Sequence, residues 1–227
     1  MGSSGSFEWS VSLPGSKGSR STFYKPKASI CVDSESCGHE ELFVPVSVAK
    51  VLARHRKDGE SLPDSRAELI FQLSWLEETE CRKRVEGLIN RRDYSTSELT
   101  LRLQRDGYPS DVVKSVVERM VEVGVLNDSR YADVFIRSKI SSGWGELRIE
   151  RELSRRGVDV ETLDGWPDSY FDATNEAERA YELASRRRFS GRDPYVKAVR
   201  YLIGRGFSYS VASDVASRLK DEGTLLG

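Results

Sequence analysis

The stretch RRDYSTSELTLRLQRDGYPSDVV, residues 91–113, has two worn copies further along the chain, GELRIERELSRRGVDVETL (145–163) and YVKAVRYLIGRGFSYSVA (195–212). Aligned on Gly107, Gly157 and Gly206, the three share an apolar pattern. Eight residues before each glycine stand Leu99, Ile149 and Ala198, and four before stand Leu103, Leu153 and Leu202. One residue after come Tyr108, Val158 and Phe207; six after, Val113, Leu163 and Ala212; nine after, Val116, Trp166 and Val215. Positions −8 and −4 share one helical face, and a glycine at the end of such a stripe is a helix stop. Self-similarity at this period is the mark of a repeat architecture.

Working outward, each copy reads as three helices. A first helix ends in a basic tail (NRR, RSK, SRRR) and a short loop with an aromatic follows, at Tyr94, Trp144 and Phe189. The second helix runs to the glycine and a third closes the unit. Ser95, three residues before Glu98, is a capping-box start. Asp64, Asp128 and Ser208 are placed to cap further helices, and Asp193 precedes a proline at the first helical position. Val113, Val116, Val117 and Met120 form one stripe ahead of Gly124. In the second copy, VDVETLDGWP leaves about two turns before Gly165 and Pro167, so a short or kinked third helix is expected. Three-helix bundles of this size have small cores and support one another when stacked.

Residues 23–64 read as a small hairpin plus a helix, with β-leaning runs in TFYKPKASICVDS and EELFVPVS and helical spacing of Val48, Val51 and Leu52. Residues 1–22 are rich in Ser and Gly and are expected to be a disordered tail. The expected fold is therefore all-α, a tandem array of three three-helix-bundle, helix-turn-helix-like repeats (65–126, 127–170 and 171–227) behind a small β-hairpin and helix segment.

Composition narrows the function classes. The 227 residues carry a net charge of −1 with 31% charged, so no overall field draws the chain onto nucleic acid and any basic surface must be local. Three cysteines, Cys31, Cys37 and Cys81, have no framework spacing, which favours a reducing compartment. No apolar run reaches the length of a signal peptide core or a membrane span, and a cytoplasmic location without membrane contact is expected. His39 and His55 have no triad or acid–base partner pattern, CVDSESCGH lacks the paired spacing of a zinc site, and no phosphate-cradling glycine loop occurs. No catalytic, cofactor or metal residue is assigned, and the chain is expected to be a monomer and not an enzyme.

The remaining signal is cationic. On the second helix of repeat two, Arg148, Arg151 and Arg155 cluster opposite the Ile149–Leu153 stripe. The same places in repeat three hold Lys197, Arg200 and Gly204, and those in repeat one hold Glu98, Leu101 and Arg105. Repeat one adds Arg91, Arg92 and Arg102 from other angles. Like charges on one face cost stability, which argues for a binding surface. Trp144, with Tyr94 and Phe189, either adds apolar contact there or packs into the core. From Arg82 onward 26 Lys/Arg face 24 Asp/Glu, so phosphate contact alone would be weak and salt-sensitive. A long surface of mixed charge suits an extended protein partner, with weak direct DNA contact. A duplex-DNA-binding transcription or nucleoid factor and a plain helical scaffold are the alternatives.

The run LINRRDYSTSELTLRLQRDGYPSDVVKSVVERMVEVGVLNDSRYADVFIRSKISSGWGELRIERELSRRGVD (88–159) strongly resembles the RecX family of bacterial recombinase regulators, and YLIGRGFSYSVASDV resembles that family's closing repeat. The likeness covers about residues 65–220, with several motifs in the family's order, and SICVDSESCGHEELFVPVSVAKVL is similar to a segment found before the repeats in many members. The resemblance implies an array of three helical repeats that lies in the groove of the RecA–DNA filament and touches more than one subunit. It further implies restraint of RecA, with lowered ATPase, strand exchange and SOS coprotease activity.

Overall fold

Alternation, hidden by a serine-rich composition, decides how the chain begins. FEWSVS places Phe7, Trp9 and Val11 on one side of a strand, β1 (Phe7–Ser12), with Trp9 buried. Composition predicts disorder over 1–22, but residues 7–12 pair with the hairpin because this period-2 apolar edge has a sheet to cover. The computed structural model describes residues 7–15, 28–34, 38–59 and 62–225, so 1–6 and 16–22 of the expected tail lie outside the described residues. The hairpin is β2 (Ala28–Ser34) and β3 (Gly38–Val44), and the antiparallel order is β1-β2-β3. Trp9 stands opposite Val32, Val11 opposite Ile30, and Ala28 opposite Val44.

The chain divides into two compact units, one through Leu126 and one from Asn127. In the first, the sheet packs on α1 (Val46–Asp58) and on the first half of α2 (Arg66–Ile89) through Val48, Ala49, Leu52, Leu69, Leu73 and Leu76. Arg66 donates two hydrogen bonds to Glu40 at the sheet's rim, and the Trp9 indole donates to the Pro63 carbonyl. Ser65 rather than Asp64 caps α2, accepting from the Glu68 amide. At 24 residues, about 36 Å, α2 is long enough to serve two cores. Its second half supplies Cys81, Val85 and Leu88 to a core shared with α3 (Thr96–Arg105) and α4 (Ser110–Glu122). Leu99 and Leu103 are fully buried there, each contributing about 1.5–3 kcal/mol of apolar burial. Tyr108 links the two cores: its hydroxyl donates to the Glu80 carbonyl at 3.1 Å and meets Ser47 Oγ at 2.9 Å.

The second unit holds α5 (Asp128–Ser141) and α6 (Glu146–Arg155), then α7 (Ala173–Ser185), α8 (Pro194–Arg205) and α9 (Tyr209–Asp221). Asn127, one residue before the expected Asp128, caps α5, and Ser208 caps α9 as its position suggests. Asp193 does precede α8, but in a left-handed conformation with no side-chain cap bond. The third helix of repeat two is reduced to a 3-10 turn, Val160–Thr162, capped by Asp159 and followed by Gly165 and Pro167. Val160, Leu163 and Phe171 from this irregular segment still close the core over Ile149 and Leu153. In repeat three Ala198, Leu202, Phe207, Ala212 and Val215 are buried together, as the alignment on the turn glycines requires.

Repeats two and three are joined end to end. The amide of Gly145, ahead of α6, donates to the Arg205 carbonyl at 2.9 Å, and that of Leu147 donates to the Gly206 carbonyl at 3.1 Å. The Glu146 amide donates to the Glu176 carboxylate at 3.2 Å. The free amides that begin one helix are thus met by the free carbonyls that end another. Arg179 pairs with Glu176 at 2.8 Å and donates to the carbonyls of Ile140 and Trp144, tying α7 to the same place. Burial lifts the Glu176 carboxyl above the ordinary range although Arg179 and the Glu146 amide pull it down.

Candidate functional site

The cations singled out in the sequence fall into three settings. In repeat one, Arg92 lies 3.6 Å over the Tyr94 ring and pairs with Glu98 at 3.1 Å. Arg102 approaches Asp106 at 3.7 Å, where Arg84 already donates at 2.7 Å. Arg91 and Arg105 are exposed. Most of the charge in this repeat is therefore balanced on the spot.

In repeat two the expected trio divides. Arg151 and Arg155 are exposed on α6, Arg155 with Glu152 at 3.6 Å. Arg148 does not belong to that open face. It is half-buried, lies 3.8 Å over Trp144, and reaches the Gly204 carbonyl at 3.4 Å. Its helical phase is as expected, but repeat three covers it, which a single-helix projection does not contain. Trp144 is half-buried between Arg148, Lys139 at 5.0 Å and the edge of Phe135 at 6.4 Å, so part of its face is structural.

In repeat three Lys197 and Arg200 are exposed one turn apart on α8. Phe189, the third loop aromatic, is buried in the core against Tyr201. Sequence reasoning missed what the loop does instead. Arg187 and Arg188 of the SRRR tail come back beside Lys197 and Arg200 and line one groove with them. The signal was present as a basic tail, a turn at SGRD and a basic helix face, but only folding brings the two runs together.

Of the cysteines, Cys31 is half-buried and Cys81 fully buried, both as free thiols. Burial pushes the Cys81 thiol up to about 12, which makes it unreactive. Cys37 lies outside the described residues. Among the described residues no group of three metal-ligating side chains comes together, and no helix is long and apolar enough to cross a membrane.

Comparison with known proteins matches the first two repeats separately. Residues 81–120, the end of α2 through most of α4, fit the family model described as the first three-helix domain of RecX, and residues 127–164 fit that of its second three-helix domain. The regulatory protein RecX of Chromohalobacter salexigens is 38% identical over 128 residues, covering 54% of this chain and 81% of that protein. The chain belongs to the RecX family. The regulatory protein RecX of Pseudomonas entomophila is 32% identical over 142 residues, covering 60% of this chain and 89% of its own length. A crystal structure of a regulatory protein RecX covers 92% of this chain at a TM-score of 0.57 and 17% identity. That of RecX from Lactobacillus salivarius covers 63% at a TM-score of 0.54 and 19% identity, and both share the fold. The relatives are named as regulatory proteins, in keeping with a RecX chain whose conspicuous features are surfaces.

Proposed function

We propose that this RecX chain restrains the recombinase RecA by lying in the groove of the RecA–DNA filament, lowering ATP hydrolysis, strand exchange and coprotease activity. Family membership supports the regulatory role. The structural observation that carries the rest is the end-to-end junction of α6 on α8. It holds repeats two and three as one body, with Arg151 and Arg155 on one repeat and Lys197 and Arg200 on the next kept exposed. Cations fixed in relation to one another lose little freedom when they meet the anionic groups of a filament, acidic protein surface or DNA phosphate, so binding energy is not spent on ordering them. Charge complementarity of this kind sets partner choice and association rate more than affinity.

The test is RecA's ATP hydrolysis on single-stranded DNA, titrated with the protein at near-physiological salt. Inhibition is expected below one molecule per recombinase subunit. The Arg151→Glu, Arg155→Glu, Arg200→Glu variant, which spares the structural Arg148, is expected to need about tenfold more protein, in line with losing a few interfacial charge contacts. No inhibition at excess of wild-type protein whose helical circular dichroism is intact overturns the reading. A duplex-DNA factor would instead bind naked duplex and leave hydrolysis unchanged.

A further inference from the structure

The groove formed by the α7–α8 loop and α8 of repeat three differs in its charge balance from the cationic places described above. Arg187, Arg188, Phe189 and Ser190 of the loop and Lys197, Arg200 and Tyr201 of α8 line a space of about 450 Å³. Four of these seven residues are cations and none is a carboxylate. Lys197 is held by the Ser190 carbonyl at 2.7 Å, which positions the ammonium without neutralising it. The Arg187 guanidinium carbon lies over the Tyr201 ring, 4.6 Å from its centroid, and Tyr201 is tilted at 5.7 Å against the buried Phe189. Arg188 and Arg200 are exposed and make no ion pair among the described residues. The nearby carboxylates are turned to flanking arginines, Glu182 to Arg186 at 3.5 Å and Asp193 to Arg192 at 4.0 Å. Four like charges kept together on an anchored aromatic floor oppose stability unless an anion joins them.

We propose that this groove binds the phosphodiester backbone of a single nucleic-acid strand. Guanidinium forks and one ammonium suit phosphate oxygens. The exposed Arg187 guanidinium, held over a ring, is itself a flat group on which an unpaired base can stack, as in many single-strand sites. An acidic peptide would use the cations but has no use for that plane, and a duplex keeps its bases out of reach. The inference extends the filament reading by naming the strand as a ligand of this groove. Its test contains no recombinase, so either reading can fail without the other.

The experiment is fluorescence anisotropy of a labelled oligothymidylate with the full chain over a range of salt. The variants are Arg188→Glu/Arg200→Glu and, as a control of equal charge change, Arg151→Glu/Arg155→Glu. The first pair is expected to weaken binding about tenfold or more at low salt and to flatten the slope of log affinity against log salt by about 1.4, two phosphate contacts' worth. The control should lose clearly less. Both pairs lie on exposed positions, and matching thermal melts show that folding is unchanged. No binding by the wild type, a loss under fivefold in the groove pair, or equal losses in the two pairs overturns the proposal. So does competition by polyglutamate as effective, charge for charge, as unlabelled oligothymidylate.

Discussion

Two helices that occupy the same place in the repeat begin in opposite ways. In repeat one, α3 starts at Ser95, whose hydroxyl accepts the Glu98 amide at 3.1 Å. In repeat two, α6 starts at Gly145, which has no side chain to offer, and the amides of Glu146 and Leu147 are taken by Glu176 and by the end of α8. The turn glycines differ in parallel. Gly107 and Gly206 have nearly the same backbone, φ +98° and +95°, but a Cβ on Gly107 would find only Pro45 Cα at 3.8 Å. A Cβ on Gly206 would collide with Arg148 Cβ and lie 2.6 Å from its amide nitrogen. Repeat one is self-sufficient at both places, whereas repeat two borrows its cap from repeat three through a contact that only glycine permits. The same sequence position therefore does one job in one repeat and two in another.

The largest effects should come from testing that borrowed contact. Gly206→Ala adds an unfavourable left-handed alanine to an overlap with the backbone of α6, about 4 kcal/mol together. Gly107→Ala has the same dihedral cost with only an ordinary contact to Pro45 Cα, about 1–2 kcal/mol. Urea denaturation read by hydrogen exchange should place the first loss in the second unit and the second in the first. Equal losses would mean that the α6–α8 contact adds nothing beyond the backbone conformation, and the comparison would fail.

A smaller contrast concerns two carboxylates on first helices. Glu176 is buried but answered by Arg179 and an amide, whereas Glu77 on α2 is pushed up from 4.5 to about 7, mainly by burial and further by Asp111. The folded protein then binds the Glu77 proton more tightly than the unfolded chain does. Stability associated with this group is complete below about pH 4.5 and is lost as pH rises through about 7. Glu77→Gln should therefore equal wild type near pH 4.5 and exceed it by about 1–2 kcal/mol at pH 8, once solvent screening of a half-buried group is allowed for. Parallel urea titrations at the two pH values measure this. A difference independent of pH would show that Glu77 acts through packing alone.

These contrasts also mark where sequence reading works. The inward positions of the alignment, Leu99 with Ile149 and Ala198 and Leu103 with Leu153 and Leu202, are buried in every repeat because helical period alone determines which side they face. Ser95 and Ser208 cap where they should, since a cap is a local hydrogen bond. Reading fails where a partner element decides. Composition hides the alternating edge of β1. Arg148 has the phase of a surface residue and lies under repeat three, and the loop position left open between contact and core is half-buried at Trp144 and fills a core at Phe189. The groove of Arg187, Arg188, Lys197 and Arg200 was legible as two basic runs and illegible as one site, because the turn at SGRD that folds them together leaves no periodic trace.

The smallest expected effect tests self-sufficiency directly. Ser95 is fully buried, and its hydroxyl takes an amide that has no carbonyl within the helix to bond. Ser95→Ala removes that acceptor in a place where water does not readily substitute, so the loss should be about 1 kcal/mol, the usual cost of a lost cap. Hydrogen exchange should confine it to the first turn of α3, with the Glu98 amide exchanging sooner. Repeat two supplies the control, because Gly145→Ala must cost more despite deleting no cap: its Cβ would come within 2.5 Å of Gly206. If Ser95→Ala left that amide as slow as in wild type, another group would be serving as the acceptor. The start of α3 would then be as dependent on its surroundings as that of α6.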